Sequence, residues 1–412
     1  MPGARVRGLA VDGRGRAIAV WESSRDGKSV VTVAEETSTG AWTTRDPGAA
    51  LGGRDSAPSV AAGADGAAIV AWVHATDPSG VFVSEREASG EWRDPRSPFA
   101  ANAVEPCVAS SASSEQLIAW CQQSAGTWGV AIADRMPGQA WRRPAGADGV
   151  VSPSILFANQ PRLALDARGD ALVAWYQSEG VPLMTYVSER RGAEGSFSHP
   201  STPEHLSAGG APVTSDPFAN PRPALGPHGE AAVVWVQDDG EGGTRVYLAT
   251  RAALGAWTHP ADLRDSFSLG SRVARGAQVA FGAAGELYVV WSERLGAEET
   301  VVAARRAPDG RWTDAGRAPA KLSRGRLAYA PCIVAGPLGG VLATWVEEDG
   351  AATRRIVARR TGSDRPWELP EQLSRETPAD PGVPLATVGP GDRAVVAWTA
   401  GAADRVVFAR IE

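Results

Sequence analysis

Arg162 and Arg222 each follow a proline in matching contexts, Gln160-Pro161-Arg162 and Asn220-Pro221-Arg222. A guanidinium presents a planar fork of N–H donors, so two of them side by side suit a carboxylate. Their plainer use is pairing with loop carboxylates. The same register position elsewhere holds Gly8, Ser59, Cys107, Gln278, Cys332 and Leu385. It varies where its neighbours are uniform, which marks a position released from packing. A second set lies two residues after each of eight recurring tryptophans: Ser23, His74, Gln122, Gln177, Gln237, Glu293, Glu347 and Ala400. Polar residues in a ring can bind hydroxyls or simply form a solvated rim. Glu293 and Glu347 are carboxylates of the kind glycoside hydrolysis needs about 5–10 Å apart, with Arg162, Arg222 and Tyr176 as assistants.

Other chemistry is thinly represented. Asp238-Asp239-Gly240-Glu241 and Glu347-Glu348-Asp349-Gly350 lack the alternating ligand spacing of a calcium loop and read as solvated turns. The five histidines (His74, His199, His205, His228, His259) show neither i, i+4 pairing nor cysteines at zinc spacing. No Gly-x-Ser-x-Gly, P-loop or dinucleotide fingerprint occurs. The expectation is no metal and no cofactor. Cys121 falls about two residues beyond the cross-strand partner of Cys107, too far for a bridge, so the three cysteines read as reduced, packed thiols.

The elements that position these residues follow from a repeat. Trp21, Trp72, Trp120, Trp175, Trp235, Trp291, Trp345 and Trp398 recur every 48 to 60 residues, each closing an apolar run such as AIVAW or ALVAW. Fourteen residues earlier stands proline in six copies: Pro58, Pro106, Pro161, Pro221, Pro331 and Pro384; Arg7 and Ala277 are the exceptions. Six residues before the tryptophan stands glycine in six copies: Gly15, Gly66, Gly169, Gly229, Gly285 and Gly339. Ala10, Ala61, Ala109, Ala164, Ala224, Ala280, Val334 and Thr387 keep a third register. A strand after the proline, a turn at the glycine and a β-rich run to the tryptophan make a hairpin. A third, alternating strand follows (VFVSER, TYVSER, VVAARR), then a turn and an aromatic that opens a fourth: Trp42, Trp92, Trp141, Phe197, Trp257, Trp312 and Trp367.

Four antiparallel strands per copy predict an all-β fold, an eight-bladed β-propeller in one domain spanning 1–412. Its blades cover approximately 1–50, 51–100, 101–150, 151–210, 211–268, 269–323, 324–376 and 377–412. The small residues place the first strand innermost, where blades converge. The eighth copy ends with its third strand, so a three-stranded last blade with an open edge is expected. Both sets of polar positions should line one mouth of the central channel. A specific site belongs over blades four to six, where Phe157-Ala158-Asn159 and Phe218-Ala219-Asn220 also match.

The turn Ala307-Pro308-Asp309-Gly310-Arg311-Trp312, with Gly90/Trp92, Gly40/Trp42, Gly195/Phe197 and Gly255/Trp257, resembles a worn Asp-box, the Ser-x-Asp-x-Gly-x-x-Trp turn of sialidase-type propellers. The whole chain resembles bacterial Asp-box-like propeller repeat proteins. The resemblance implies a structural role for the box. Sialidases have six blades, three carboxylate-holding arginines and an Arg-Ile-Pro signature. That signature is absent here, so no catalytic residue carries over.

Charge bounds the partners. With 41 basic and 47 acidic residues the net charge is −6, which argues against nucleic acid. No apolar run reaches a membrane-spanning length. Met1 to Gly8 holds no signal-peptide core, leaving two compartments open: the cytoplasm, or export with a leader removed. Function reads first as a non-catalytic binding or scaffold propeller taking a glycan or protein at the channel mouth. The ligand-binding candidates are Arg162, Arg222, Gln278, Gln177, Gln237, Glu293, Glu347 and His74. The alternatives are a sialidase-like glycoside hydrolase or lyase, and a structural part of a larger assembly.

Overall fold

A computed structural model describes residues 4–124, 126–142, 150–152, 157–178, 183–198, 205–209, 220–268, 273–313, 319–348, 353–362, 365–374, 381–400 and 405–411. The described chain is all-β apart from short 3-10 turns. Each repeat supplies a meander of three antiparallel strands. Unit one has Arg5–Val11, Ala17–Arg25 and Lys28–Glu36; unit two has Asp55–Ala62, Ala68–His74 and Gly80–Arg86. Unit three has Ala103–Ser110, Gln116–Ser124 and Thr127–Arg135; unit four has Phe157–Leu165, Ala171–Ser178 and Leu183–Arg190. Unit five has Arg222–Leu225, Ala231–Asp238 and Thr244–Arg251; unit six has Val273–Phe281, Leu287–Leu295 and Glu298–Arg306. Unit seven has Leu327–Ala335, Val341–Glu348 and Arg354–Thr361; unit eight has Leu385–Val388, Ala394–Ala400 and Arg405–Ile411.

The turn and proline positions have distinct physical roles. At the turn, six residues before each tryptophan, the backbone is left-handed in every unit. Glycine supplies this six times (Gly66 at φ 90), and Ser114 (φ 61) and Asp392 (φ 59) take the other two places. Before the proline the first strand bulges. The register slips between Ser56 and Ser59, Val104 and Cys107, Asn159 and Arg162, and Tyr329 and Cys332. The residue preceding proline at these bulges sits at positive φ: Ala57 50, Glu105 54, Gln160 54 and Ala330 53. A bulge bends the strand and re-aims the next side chain. Proline fits there because the bulge needs no ladder N–H from it.

The fourth strand is shorter than the repeat suggests and broken in places. Trp42–Arg45 is its longest form, whereas in unit two both Trp92–Arg93 and Ala100–Ala101 pair with the third strand. Unit eight is a three-stranded sheet, as the repeat count anticipates.

The core lies between units. Trp72 packs against Ile18, Val20, Val31 and Val33 of unit one, and Trp175 against Leu117, Ala119, Val130 and Ile132 of unit three. A three-stranded sheet alone leaves one face bare, and stacking covers it. The aromatic of the fourth strand also reaches back one unit. Trp92 Nε1 donates to Glu35 at 2.9 Å, and Trp141 Nε1 to Glu85 at 2.9 Å. Every first strand lies beside those of the units before and after it, and the first strand of unit eight lies beside that of unit one. There Trp42 stacks on Phe408 with ring centroids 3.8 Å apart, and Arg410 Nε donates to Glu36 at 3.0 Å.

Candidate functional site

Side chains next to the bulges of several units lie within electrostatic reach of one another. Arg222 of unit five feels the like charge of Arg162 in unit four, together with Cys107 of unit three, Tyr176 of unit four and Cys332 of unit seven. Burial, then Arg162, pulls its guanidinium down to about 10. Burial pushes the Cys107 thiol up to about 11, against the pull of Arg162 and Arg222. All three cysteines are free thiols.

No carboxylate pairs with Arg162 or Arg222 among the described residues. Arg162 Nη1 donates at 2.8 Å to the carbonyl of its neighbour Pro161. Arg222 Nε is buried without a hydrogen-bond partner among the described residues. Nearby strand ends carry more buried polar atoms in the same condition: Asn159 Oδ1, Gln160 Oε1, Asn220 Oδ1 and Gln177 Nε2. These side chains belong to units four and five. Buried polar groups are normally satisfied, and among the described residues unpartnered ones also occur in other units, Trp72 Nε1 and Thr344 Oγ1 among them. Glu105, from the bulge of unit three, is committed elsewhere: Oε2 accepts Gln160 N–H at 2.6 Å and the Cys121 thiol at 3.3 Å. The site therefore offers guanidinium donors and amides, and no free carboxylate among the residues named.

The second predicted set has a different place. Gln177, Gln237, Glu293 and Glu347 are buried, and each accepts the indole N–H of its own tryptophan, at 3.0, 3.0, 2.6 and 3.0 Å. A buried indole N–H needs an acceptor, and the residue two places on points to the same side of the strand. Their polarity thus answers to packing, where an open rim was expected. Glu347 is held further by Arg324 N–H and Arg355 Nη2, both at 3.0 Å. Although burial pushes its carboxyl up, these donors keep it below the ordinary value. Glu293 has no such help, and burial raises it.

His74 is also buried, between Asp55 Oδ1 (2.6 Å from Nδ1) and Thr76 Oγ1 (2.5 Å from Nε2). Gln278 is half-buried on the first strand of unit six. The acidic run at Asp238 is a capped turn: Asp239 Oδ1 accepts N–H from Glu241 and Gly243, each at 2.9 Å. Phe218, Ala219, Asp349, Gly350 and His199 lie outside the described residues. No cluster of three metal-ligating side chains occurs among the described residues.

The orphaned amides escaped sequence reading. Asn159 and Asn220 were visible only as parts of a linking phrase, and nothing in the sequence marks Gln160 as left-handed.

No family model and no curated protein matches the chain. Solved structures do. Prolyl oligopeptidase B of Galerina marginata aligns at 11% identity and a TM-score of 0.51, covering 96% of this chain and 55% of its own. The polysaccharide lyase Uly1 aligns at 11% identity, over 87% of this chain and 90% of its own, with a TM-score of 0.47. The Hadza microbial sialidase Hz136 aligns at 14% identity, over 83% and 63%, with a TM-score of 0.42. The likeness is one of fold: all-β and propeller-like.

Proposed function

We propose that the eight units close into one eight-bladed propeller, a single domain, and that its channel binds the carboxylate of an acidic glycan between Arg162 and Arg222. Support for closure comes from the unbroken cycle of neighbouring first strands, unit eight against unit one included. The binding reading is carried by one observation: two guanidiniums from adjacent units act on each other electrostatically, and neither pairs with a carboxylate among the described residues. Holding like charges together in a buried place is unfavourable unless an anion relieves it. The orphaned amides of Asn159, Gln160 and Asn220 would take hydroxyls. Gln278 would lie on the channel wall beside them.

A second reading is a glycoside hydrolase or lyase, activities named for several structures of similar fold. Glu293 favours it, since a raised carboxyl is the direction a general acid needs.

Calorimetric titration with glucuronate, galacturonate and neutral glucose tests the first reading. The acidic sugars should bind and glucose should not, and Arg162→Ala or Arg222→Ala should weaken binding at least tenfold. Equal binding of acidic and neutral sugars, or none, refutes it. Turnover of a fluorogenic glycoside panel that is lost in Glu293→Gln would establish the second.

A further inference from the structure

The contact between units eight and one carries its charges reversed. Between units three and four, Arg190 lies 2.6 Å from Asp134 and 2.5 Å from Glu115, and Arg142 reaches Asp134 at 2.9 Å. Two cations there meet two carboxylates. The equivalent register positions at the seam between eight and one hold opposite charges. Glu36 stands for Arg190, Arg410 for Asp134, and Arg393 for Glu115. Glu36 and Arg410 pair, as Arg190 and Asp134 do. Arg393, exposed, has no ion-pair partner among the described residues. The counterpart of Arg142 would be an acidic group on a fourth strand, and unit eight has none among the described residues.

A cavity of about 530 Å³ occupies this seam, bounded by Arg16, Glu36, Ser38, Arg393 and Arg410 among others. Arg16 is shared with Asp12 at 2.9 Å, and the Arg14 guanidinium turns away to the carbonyls of Asp65 and Ala88. Arg410 is balanced by Glu36 and also donates to the Gly15 carbonyl at 3.1 Å, so the positive charge left on the cavity wall is centred on Arg393, beside Arg410. A cavity of this volume admits more than a bare ion.

We infer that the seam is an anion site, distinct from the channel, which takes a tetrahedral oxyanion, either free or as the phosphate or sulfate ester of a sugar. The anion completes the charge set that Glu36 leaves one short. It touches the last unit through Arg393 and Arg410 and the first through Arg16, so its binding fastens the two ends of the array together. Guanidinium pairs suit such an oxyanion because two N–H donors match two of its oxygens.

Thermal unfolding of the full chain tests this, at constant ionic strength, with inorganic phosphate, inorganic sulfate, glucose 6-phosphate and a sulfated monosaccharide, each against chloride. A saturable rise of about 3 °C at a hundredfold excess over Kd is expected for at least one. A response to the inorganic ions identifies the free anion as sufficient, and a response to the esters alone identifies the sugar ester. Arg393→Ala, an exposed change that should leave the fold intact, should weaken the response at least tenfold. Arg162→Ala should leave it unchanged, which separates this site from the channel. No response beyond chloride, a response that survives Arg393→Ala, or one lost in Arg162→Ala overturns the inference.

Discussion

The substitution of glutamine for glutamate should have opposite effects in two neighbouring units. Glu293 and Glu347 occupy the same register, and both accept an indole N–H, at 2.6 and 3.0 Å. Glutamine serves that purpose in units four and five, so either change preserves the acceptor. What differs is the charge. Burial raises Glu293, and among the described residues the Trp291 indole alone offsets it. Glu293→Gln removes an uncompensated buried charge and should stabilise the protein by about 1–2 kcal/mol at pH 7. Glu347→Gln breaks the charge-assisted bond to Arg355 and should destabilise it by about 2–4 kcal/mol. For a chain of this length about 1 kcal/mol moves Tm by about 1 °C. The pH dependence follows from the direction of each shift. A raised carboxyl binds its proton more tightly in the fold, so the unfavourable effect of Glu293 appears as pH rises above the ordinary value of 4.5. Glu347 is depressed, so its stabilisation is present above 4.5 and fades as pH falls through its folded value. Calorimetric Tm from pH 4 to pH 8 should show the variants diverging in opposite directions from wild type at high pH and converging on it toward pH 4. A shift of the same sign in both at pH 7 would refute the reasoning.

Three further outcomes follow. Arg222→Met should raise Tm by about 1–3 °C while abolishing acidic-sugar binding, because burial pulls the guanidinium down and no carboxylate pairs with it among the described residues; calorimetry reads both. Glu36→Arg and Arg410→Glu should each lower Tm, and the double exchange should restore most of the loss, since the pair at the seam would be reformed in reverse. Native protein should react slowly with a disulfide thiol reagent at pH 8 and release all three thiols only on unfolding, because burial pushes Cys107 to about 11 and raises Cys121 and Cys332 as well.

The three registers of tryptophan, proline and glycine were enough to place every hairpin, because each reports a hard local constraint. The tryptophan fills the gap between units, and the glycine supplies left-handed backbone. The proline was legible as a landmark, but its bulge was not, since Glu105 and Gln160 carry no mark of positive φ. Cys107, Arg162 and Cys332, three other members of the ring after the proline, act electrostatically on Arg222; that the whole ring faces inward belongs to the proposal. The residues two places after tryptophan were misread as a rim because polarity alone does not distinguish water from a buried indole. Charge reversal at the seam was present in Glu36, Arg393 and Arg410 all along. It became visible only when the structure set one unit against the next.

The most direct measurement is an X-ray map of crystals soaked in glucuronate. Eight blades should surround one channel, with the sugar carboxylate within hydrogen-bonding distance of both Arg162 and Arg222. A ring of another number, or either arginine turned onto a carboxylate of the protein itself, would contradict the proposed site.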